Sequence, residues 1–390
     1  MATKRLNGEG SIRKKIVKGN VYWEGRYTDA DGKQRSVTAK TQSEVRDKLK
    51  VKQNQTVKAK EEAEAKAEGH QYYDKNITLN EWQKIYMNLY TKKLKPQTKA
   101  MRESIYNNYF RESLGFKKIK NITEDDVSYL KDKMDNMSLA SGTIYNNFAT
   151  LGVLLNKAIE KKIINYNPIK ILDLSNKSSS KPKRALTREE LNFFFSVVKI
   201  KYPYLEPLFI FLQNTGCRIG EAIAIEWCDI SKDMTMCSIT KTRISYQDVE
   251  KHRTVTGDGT PKNKTSKRLV PLNDNVQKML VELKQQRQSE NLYSPTKKVF
   301  LSKQKKILRA KCIDQQLSNI SKLIQQNYDL NFPDITAHWF RHTFASYCVA
   351  KNVPPIYLQK IGGWANDKML SEVYAHMNNQ QALAAVQNLY

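Results

Sequence analysis

Residues 336–344 read Thr336-Ala337-His338-Trp339-Phe340-Arg341-His342-Thr343-Phe344. The spacing His338-x-x-Arg341 places both side chains on one face of a helix. Two of the chain's five histidines fall in this stretch. A lone histidine is usually structural. Beside an arginine on one helical face, in a chain whose charge suggests phosphate, it becomes a candidate site residue.

Three further segments surround this one. Upstream, Thr215-Gly216-Cys217-Arg218-Ile219-Gly220-Glu221 follows an apolar helix over Leu208 to Leu212. Gly216 permits a tight turn, and Arg218 is expected to open a helix with Ala222, Ile223 and Ile225 on its core side. An arginine at a helix start preceded by Gly suits a phosphate, although a plain surface arginine reads the same way. Next, Gly257-Asp258-Gly259 reads as a turn leading through Thr260-Pro261-Lys262-Asn263-Lys264-Thr265-Ser266-Lys267 into an alternating strand, Arg268 to Leu272. Its lysines suit either a solvated hairpin or a mobile cation against a nucleic-acid backbone. Downstream, Gly362-Gly363-Trp364 breaks a helix, and the run Val373-Tyr374-Ala375-His376 follows.

Composition narrows the partner. The chain has 390 residues, enough for two or three domains, with 66 Lys and Arg against 39 Asp and Glu, a net +27. Such an excess argues against a typical metabolic enzyme and asks for a polyanion. A 40% hydrophobic share and 20 Tyr exclude a wholly disordered basic tail. No apolar run reaches bilayer length, and the start, Met1-Ala2-Thr3-Lys4-Arg5, does not read as a signal peptide. Five cysteines, none with CxxC spacing, read as reduced thiols inside the cell rather than a disulfide framework or zinc site.

Four helix-start patterns divide the chain: Thr41-x-x-Glu44, Thr78-x-x-Glu81, Thr123-x-x-Asp126 and Thr187-x-x-Glu190. Before the first lie three β-rich segments, Ser11 to Val17, Val21 to Tyr27 and Gln34 to Thr38, separated by Gly19-Asn20 and Asp31-Gly32. A three-stranded sheet with one helix is expected. Its basic residues, including Arg13, Lys14, Lys15, Arg26 and Arg35, form either a solvated face or a surface for a DNA groove. The Lys/Glu/Ala-rich run from about Val51 to Glu68 reads as an exposed helix or linker. Helical runs near Leu79–Tyr90, Thr98–Phe110, Glu124–Met134 and Ser141–Ile159 form an all-α module interrupted by Pro96 and Gly115. Residues 175–183, with Lys181 and Lys183, read as a flexible basic linker. The remainder is a mixed unit, mostly helical with a small sheet.

Taken in order, Arg218, the hairpin lysines, His338-x-x-Arg341, Gly-Gly-Trp and the late Tyr374 resemble the tyrosine recombinase family. The whole chain is similar to integrases of phages and conjugative transposons. The resemblance implies a multidomain protein, mainly α with small β-sheets. It implies an arm-type DNA-binding domain with linker helix at 1–68, a helical core-binding (SAM-like) domain at 75–174, a linker at 175–183 and a mixed α/β catalytic domain at 184–390. It implies catalytic roles for Arg218, Lys262, His338, Arg341, Trp364 and Tyr374, with Tyr374 the nucleophile. Glu221 would brace the site, Lys264 is the alternative hairpin lysine, and His376 belongs to the Tyr-x-His ending. Tyr357 and Tyr390 fit the nucleophile less well. Members usually carry Gly-His where this chain has Gly363-Trp364, and Trp364 lies one residue further than usual from Tyr374.

The chemistry needs these residue types. A Tyr oxygen can attack phosphorus and hold the DNA end as a 3′-phosphotyrosyl ester. Two guanidiniums donate forked hydrogen bonds to the equatorial oxygens. A lysine protonates the departing 5′ oxygen, and His338 accepts the Tyr proton or braces the phosphate. Neither a metal nor any other cofactor is expected. The implied partners are double-stranded DNA at core-type and arm-type attachment sites, three further copies in a homotetramer on DNA, an excisionase and a host DNA-bending protein. No membrane is implied, and the location would be the bacterial cytoplasm, at the nucleoid. The tail Gln380 to Leu389 would cover either a neighbouring subunit or its own. The rival readings are a chromosome-dimer resolvase, a type IB topoisomerase-like enzyme, and a non-catalytic DNA-binding regulator.

Overall fold

A computed structural model of the chain describes residues 11–17, 20–67, 71–174, 184–248, 252–261, 264–328 and 331–364. The expectations for the 175–183 linker with Lys181 and Lys183, for Lys262, for Tyr374 and His376, and for the tail lie outside the described residues. The described residues fall into two compact units, residues 11–94 with 102–174, and residues 95–101 with 184–364.

The first unit opens with the antiparallel meander β1 (Ser11–Val17), β2 (Asn20–Thr28) and β3 (Gln34–Ala39). Strand alternation sorts its side chains. Ile12, Trp23, Tyr27 and Val37 pack with Ala39 against Val45 and Leu49 of α1 (Gln42–Ala67). A side chain at Gly25 would come within 2.4 Å of Leu49, so the helix rests on this spot because it lacks one. The Lys/Glu/Ala-rich run is the continuation of α1 itself, with its own apolar residues Val51 and Val57 exposed.

The helices α2 (Leu79–Tyr90), α3 (Pro96–Tyr109), α4 (Glu124–Asn136) and α5 (Ser141–Glu160) follow. Complete capping boxes at Thr78 and Thr123 open α2 and α4, each threonine hydroxyl taking an orphan N–H while the acid three residues on takes another. Pro96 begins α3, where its missing N–H costs no helical bond. Trp82, Phe110, Phe148 and Leu151 form the core, and the Trp82 indole N–H donates to Leu154 O at 3.0 Å.

In the second unit, a capping box at Thr187 opens α6 (Arg188–Lys201), followed by α7 (Glu206–Thr215) and the single turn α8 (Ile219–Ala222). Strands β4 (Met236–Ile239), β5 (Thr242–Asp248), β6 (Arg253–Gly259) and β7 (Arg268–Pro271) pair as β4–β7 and β5–β6. They amount to one bent hairpin whose returning arm is broken by residues 260–267. Helices α9 (Asp274–Ser289), α10 (Ala310–Tyr328), α11 (Ala337–Ala350) and α12 (Pro355–Gly362) complete the unit. Phe340 of α11 stacks on Phe209 of α7 at 5.5 Å and meets Phe194 of α6 edge-on at 5.3 Å, which fixes α11 in the core.

Two expectations need correction. Gly257-Asp258-Gly259 is strand, not turn: Gly257 pairs with Ile244 and Gly259 with Thr242. Asp258 is used in ion pairs with Lys298 and Arg243, and a side chain at Gly259 would crowd Ile244. The chain therefore reverses between Asp248 and Arg253. The helix after Arg218 is one turn, too short for a helical phosphate site, although Ala222, Ile223 and Ile225 are buried as expected. Among the described residues, no helix is long and apolar enough to cross a membrane.

Candidate active site

The site begins where α7 ends. Gly216 takes the left-handed conformation, φ 60°, that closes the helix, and any side chain there would strike Phe344. Cys217 is buried, and Arg218 follows in extended conformation. Its backbone N–H donates to Glu221 Oε2 at 3.0 Å, and its Nη1 donates to Glu221 Oε1 at 2.9 Å. The one-turn α8 thus serves to bring Glu221 back under Arg218. Burial pushes the Glu221 carboxyl up, but the charge and hydrogen bond of Arg268, with those of Arg218, outweigh it and hold Glu221 below the usual carboxylate range.

Arg341 comes from the buried face of α11 and is 1% exposed. Its Nη1 donates to Gly216 O and to Gly362 O, both at 2.7 Å. Its Nη2 is buried and has no hydrogen-bond partner among the described residues. Burial, then the neighbouring Arg218 cation, pull its pKa down to about 9. The Trp364 ring covers the guanidinium at 4.1 Å. This explains the Gly-Gly pair. A side chain at Gly362 would sit 1.8 Å from the Trp364 ring, and Gly363, at φ 66°, ends α12. His338 lies one turn before Arg341 on α11 and is exposed.

The structure thus brings together Arg218, Glu221, Arg341 and Trp364 of the sequence-nominated set. Residues 264–266 form a 3-10 turn just before β7, and Ser266 Oγ accepts from Arg218 Nη1 at 3.4 Å. The loop that includes Lys264 therefore ends against Arg218.

Sequence reasoning missed Arg268. It donates to Ile361 O at 2.5 Å, Ser266 O at 3.0 Å, Glu221 Oε2 at 3.0 Å and Cys217 Sγ at 3.5 Å. The available signal was strand alternation: Arg268 shares a face with Val270 and Leu272, both buried, while Leu269 is 60% exposed. Another unnoticed cluster is Lys298, whose buried ammonium donates to Ala224 O, Glu226 and Asp258. Glu226, Cys228 and Asp229 are close enough to group as metal ligands, but both carboxylates are ion-paired with Lys241 and Glu226 also with Lys298.

The five nominated sheet cations divide between two faces. Arg13, Lys15 and Arg26 converge on Glu24. Lys14 stands opposite Trp23 and Arg35 opposite Tyr27 on the helix-facing side, where Arg35 pairs with Asp29 at 2.9 Å.

The hairpin and the helices of this unit thus gather three arginines, one carboxylate and a tryptophan in one cluster, a donor set suited to an anion such as a phosphate. Comparison with known proteins makes this specific. The profile of the Phage integrase family matches residues 184–381, and that of the phage integrase N-terminal SAM-like domain matches residues 78–134. The chain belongs to the phage integrase family, whose members are tyrosine recombinases, enzymes that break and rejoin DNA.

Among relatives, a XerC-like tyrosine recombinase of Caldanaerobacter subterraneus is 26% identical, over 85% of this chain and 90% of that protein. The ICEBs1 integrase of Bacillus subtilis is 23% identical, over 74% and 77%. Among solved structures, the Tn1549 transposon integrase in complex with circular intermediate DNA aligns with TM-score 0.67 and 21% identity, covering 80% of this chain and all of that one. A lambda integrase tetramer bound to a Holliday junction aligns with TM-score 0.55 and 16% identity, over 96% and 98%. These alignments establish the same fold.

Proposed function

We propose that this chain is the integrase of a mobile element or prophage, cutting and rejoining double-stranded DNA at specific sites through a 3′-phosphotyrosyl intermediate. The observation that carries this reading is Arg341. Its guanidinium is buried, one nitrogen is spent on two carbonyls, and the other, with Arg218 beside it, has no partner among the described residues. A buried cation with unpaired donors asks for an anion, and a phosphodiester supplies one.

In this reading the Tyr374 oxygen attacks phosphorus as its proton passes to His338. The bond from phosphorus to the 5′ oxygen breaks, and that oxygen takes a proton from Lys262 or Lys264. Arg218 and Arg341 hold the nonbridging oxygens, where negative charge grows. Glu221 keeps Arg218 in place, and the Trp364 ring covers Arg341. The 5′ hydroxyl of a partner strand reverses the step. The bond energy is retained in the ester, so religation needs no nucleotide.

The domain plan is part of the proposal: residues 1–68 for arm-type sites, 75–174 and 184–390 each for the core site, and 175–183 joining them. Arg13, Lys15 and Arg26 share the sheet face that α1 leaves open, and that face is offered to arm-type DNA. Two DNA-binding modules on one chain raise the effective concentration of the second site. Strand exchange requires four copies on two duplexes, with an excisionase and a DNA-bending protein setting direction, in the bacterial cytoplasm at the nucleoid. The lambda tetramer on a Holliday junction supports the assembly.

A suicide duplex carrying the element's own end sequence tests the reading. Wild-type protein is expected to form a covalent adduct that Tyr374→Phe abolishes. An adduct unchanged in Tyr374→Phe overturns the nucleophile assignment. Sequence-specific binding with no adduct supports a regulator instead.

A further inference from the structure

The three carbonyls at the end of α12 each accept a hydrogen bond from a different arginine. Ile361 O takes Arg268 Nε at 2.5 Å, Gly362 O takes Arg341 Nη1 at 2.7 Å, and Gly363 O takes Arg218 Nη2 at 3.4 Å. The last carbonyls of a helix have no intrahelical partner and carry the negative end of its dipole. Here they are met by side chains from β7, α11 and the turn before α8. The chain that leads onward to Tyr374 therefore starts from a point tied to the arginine cluster.

Arg268 differs from the other two arginines. Its side chain is 3% exposed, and all three of its nitrogens are engaged. Four of its five N–H donors are spent on protein acceptors, whereas Arg341 Nη2 has no partner among the described residues. Arg268 makes one bond to each of three parts. Ser266 O belongs to the lysine loop, Glu221 holds Arg218, and Ile361 O belongs to the end of α12. Gly363 packs on it so closely that an added side chain would lie 3.0 Å from its Nη1. Only a planar fork with donors on three nitrogens reaches these acceptors together. A lysine ammonium on a flexible stem cannot.

We propose that Arg268 is a positioning residue for strand cleavage. It never touches the phosphate, and it sets the lysine loop, Arg218 and the root of the nucleophile segment in one register. This rests on the recombinase reading above. A burial this expensive would otherwise be replaced by an apolar side chain at little loss.

The experiment compares full-length wild type, Arg268→Ala and Arg268→Lys on a suicide duplex in single turnover, across DNA concentrations. Misplacing reacting groups by about an ångström costs on the order of 100-fold in rate. Arg268→Ala is expected to lose about that much in the saturated adduct rate, and Arg268→Lys about 10-fold, because charge is kept but the fork is lost. The half-saturating DNA concentration should stay within about threefold of wild type, since uniform binding is untouched. Should Arg268→Ala fail to fold, Arg268→Lys carries the test alone. A saturated rate equal to wild type in a folded variant overturns the proposal. So does a defect confined to half-saturation, which would make Arg268 a DNA-binding or purely structural residue. Tyr374→Phe in the same assay separates the two claims. If wild type gives no adduct, the recombinase reading fails. If only Tyr374→Phe loses it, the positioning claim alone fails.

Discussion

Two buried carboxylates in this molecule, Glu24 and Glu221, each gather several cations, and the cations differ sharply in exposure. On the open face of the N-terminal sheet, Glu24 is met by Arg13, Lys15 and Arg26, whose side chains are 53%, 47% and 44% exposed. In the catalytic-fold unit, Glu221 is met by Arg218 and Arg268, with Arg341 alongside, and two of those three arginines are almost completely buried. Each sheet cation has about half of its side chain in solvent, so in the proposed function one can turn to a DNA phosphate while the other two stay on Glu24. The buried arginines cannot exchange partners so freely, because their N–H groups also satisfy helix-end carbonyls. Solvent makes the first cluster a store of interchangeable charge. Burial makes the second a fixed geometry. In the proposed function the net +27 would divide into many charges that bind DNA and a few that are held for chemistry.

Breaking the buried cluster should have the largest effect. Arg341→Lys keeps a cation but loses the fork that joins Gly216 O and Gly362 O to the unpaired, buried Nη2. We expect adduct formation to fall by about 100- to 1,000-fold, the scale of losing one preorganised donor, with DNA binding largely retained. Single-turnover adduct rates and a binding isotherm check this.

Gly362→Ala comes next. Its methyl group would need the space of the Trp364 ring. Overpacking of this kind costs about 1–3 kcal/mol and here also displaces the cover of Arg341, so both the unfolding midpoint and the adduct rate should fall.

The low pKa of Arg341 gives a pH signature. Its free-enzyme value of about 9 lies below the ordinary 12.5, so the free site loses this proton as pH rises through about 9. In the complex the negative charge of the bound phosphodiester favours the cation. The kcat/KM for cleavage should therefore fall above about pH 9, while kcat holds to higher pH. Identical profiles for the two parameters would contradict the assignment of Arg341 to the phosphate.

The smallest effects belong to the sheet. Arg13→Ala should weaken arm-type DNA binding a few-fold and lower the salt slope by about one, leaving the adduct rate unchanged. Glu24→Gln should do the reverse. It frees three cations from their shared carboxylate, so binding tightens and the salt slope steepens. Titrations at several salt concentrations distinguish the two directions.

The contrast also marks what the sequence could reveal. Local signals were legible. The threonine boxes at Thr78, Thr123 and Thr187 sit at the helix starts, and the three N-terminal strands fall where alternation and turn dipeptides place them. Arg218, Glu221, Arg341 and Trp364 meet in space, as their order along the chain suggested. Arg268 was not legible because its partners are remote: Ile361 lies 93 residues away and Glu221 lies 47. No window of neighbouring residues contains them. Gly257-Asp258-Gly259 misled for a related reason. Its glycines and aspartate answer to Ile244 and Arg243 across the hairpin and to Lys298 beyond it, not to a local turn. The length of α8 was also hidden, since it is set by the carboxylate of Glu221 folding back onto Arg218.

The central claim is that the buried arginine cluster serves a tyrosine nucleophile that the chain delivers just beyond Trp364. The most direct measurement is to trap the adduct on a suicide duplex, digest the protein and sequence the DNA-linked peptide by mass spectrometry. The account predicts a 3′-phosphate ester on Tyr374. Attachment at Tyr357 or Tyr390, or at any residue other than Tyr374, would contradict it.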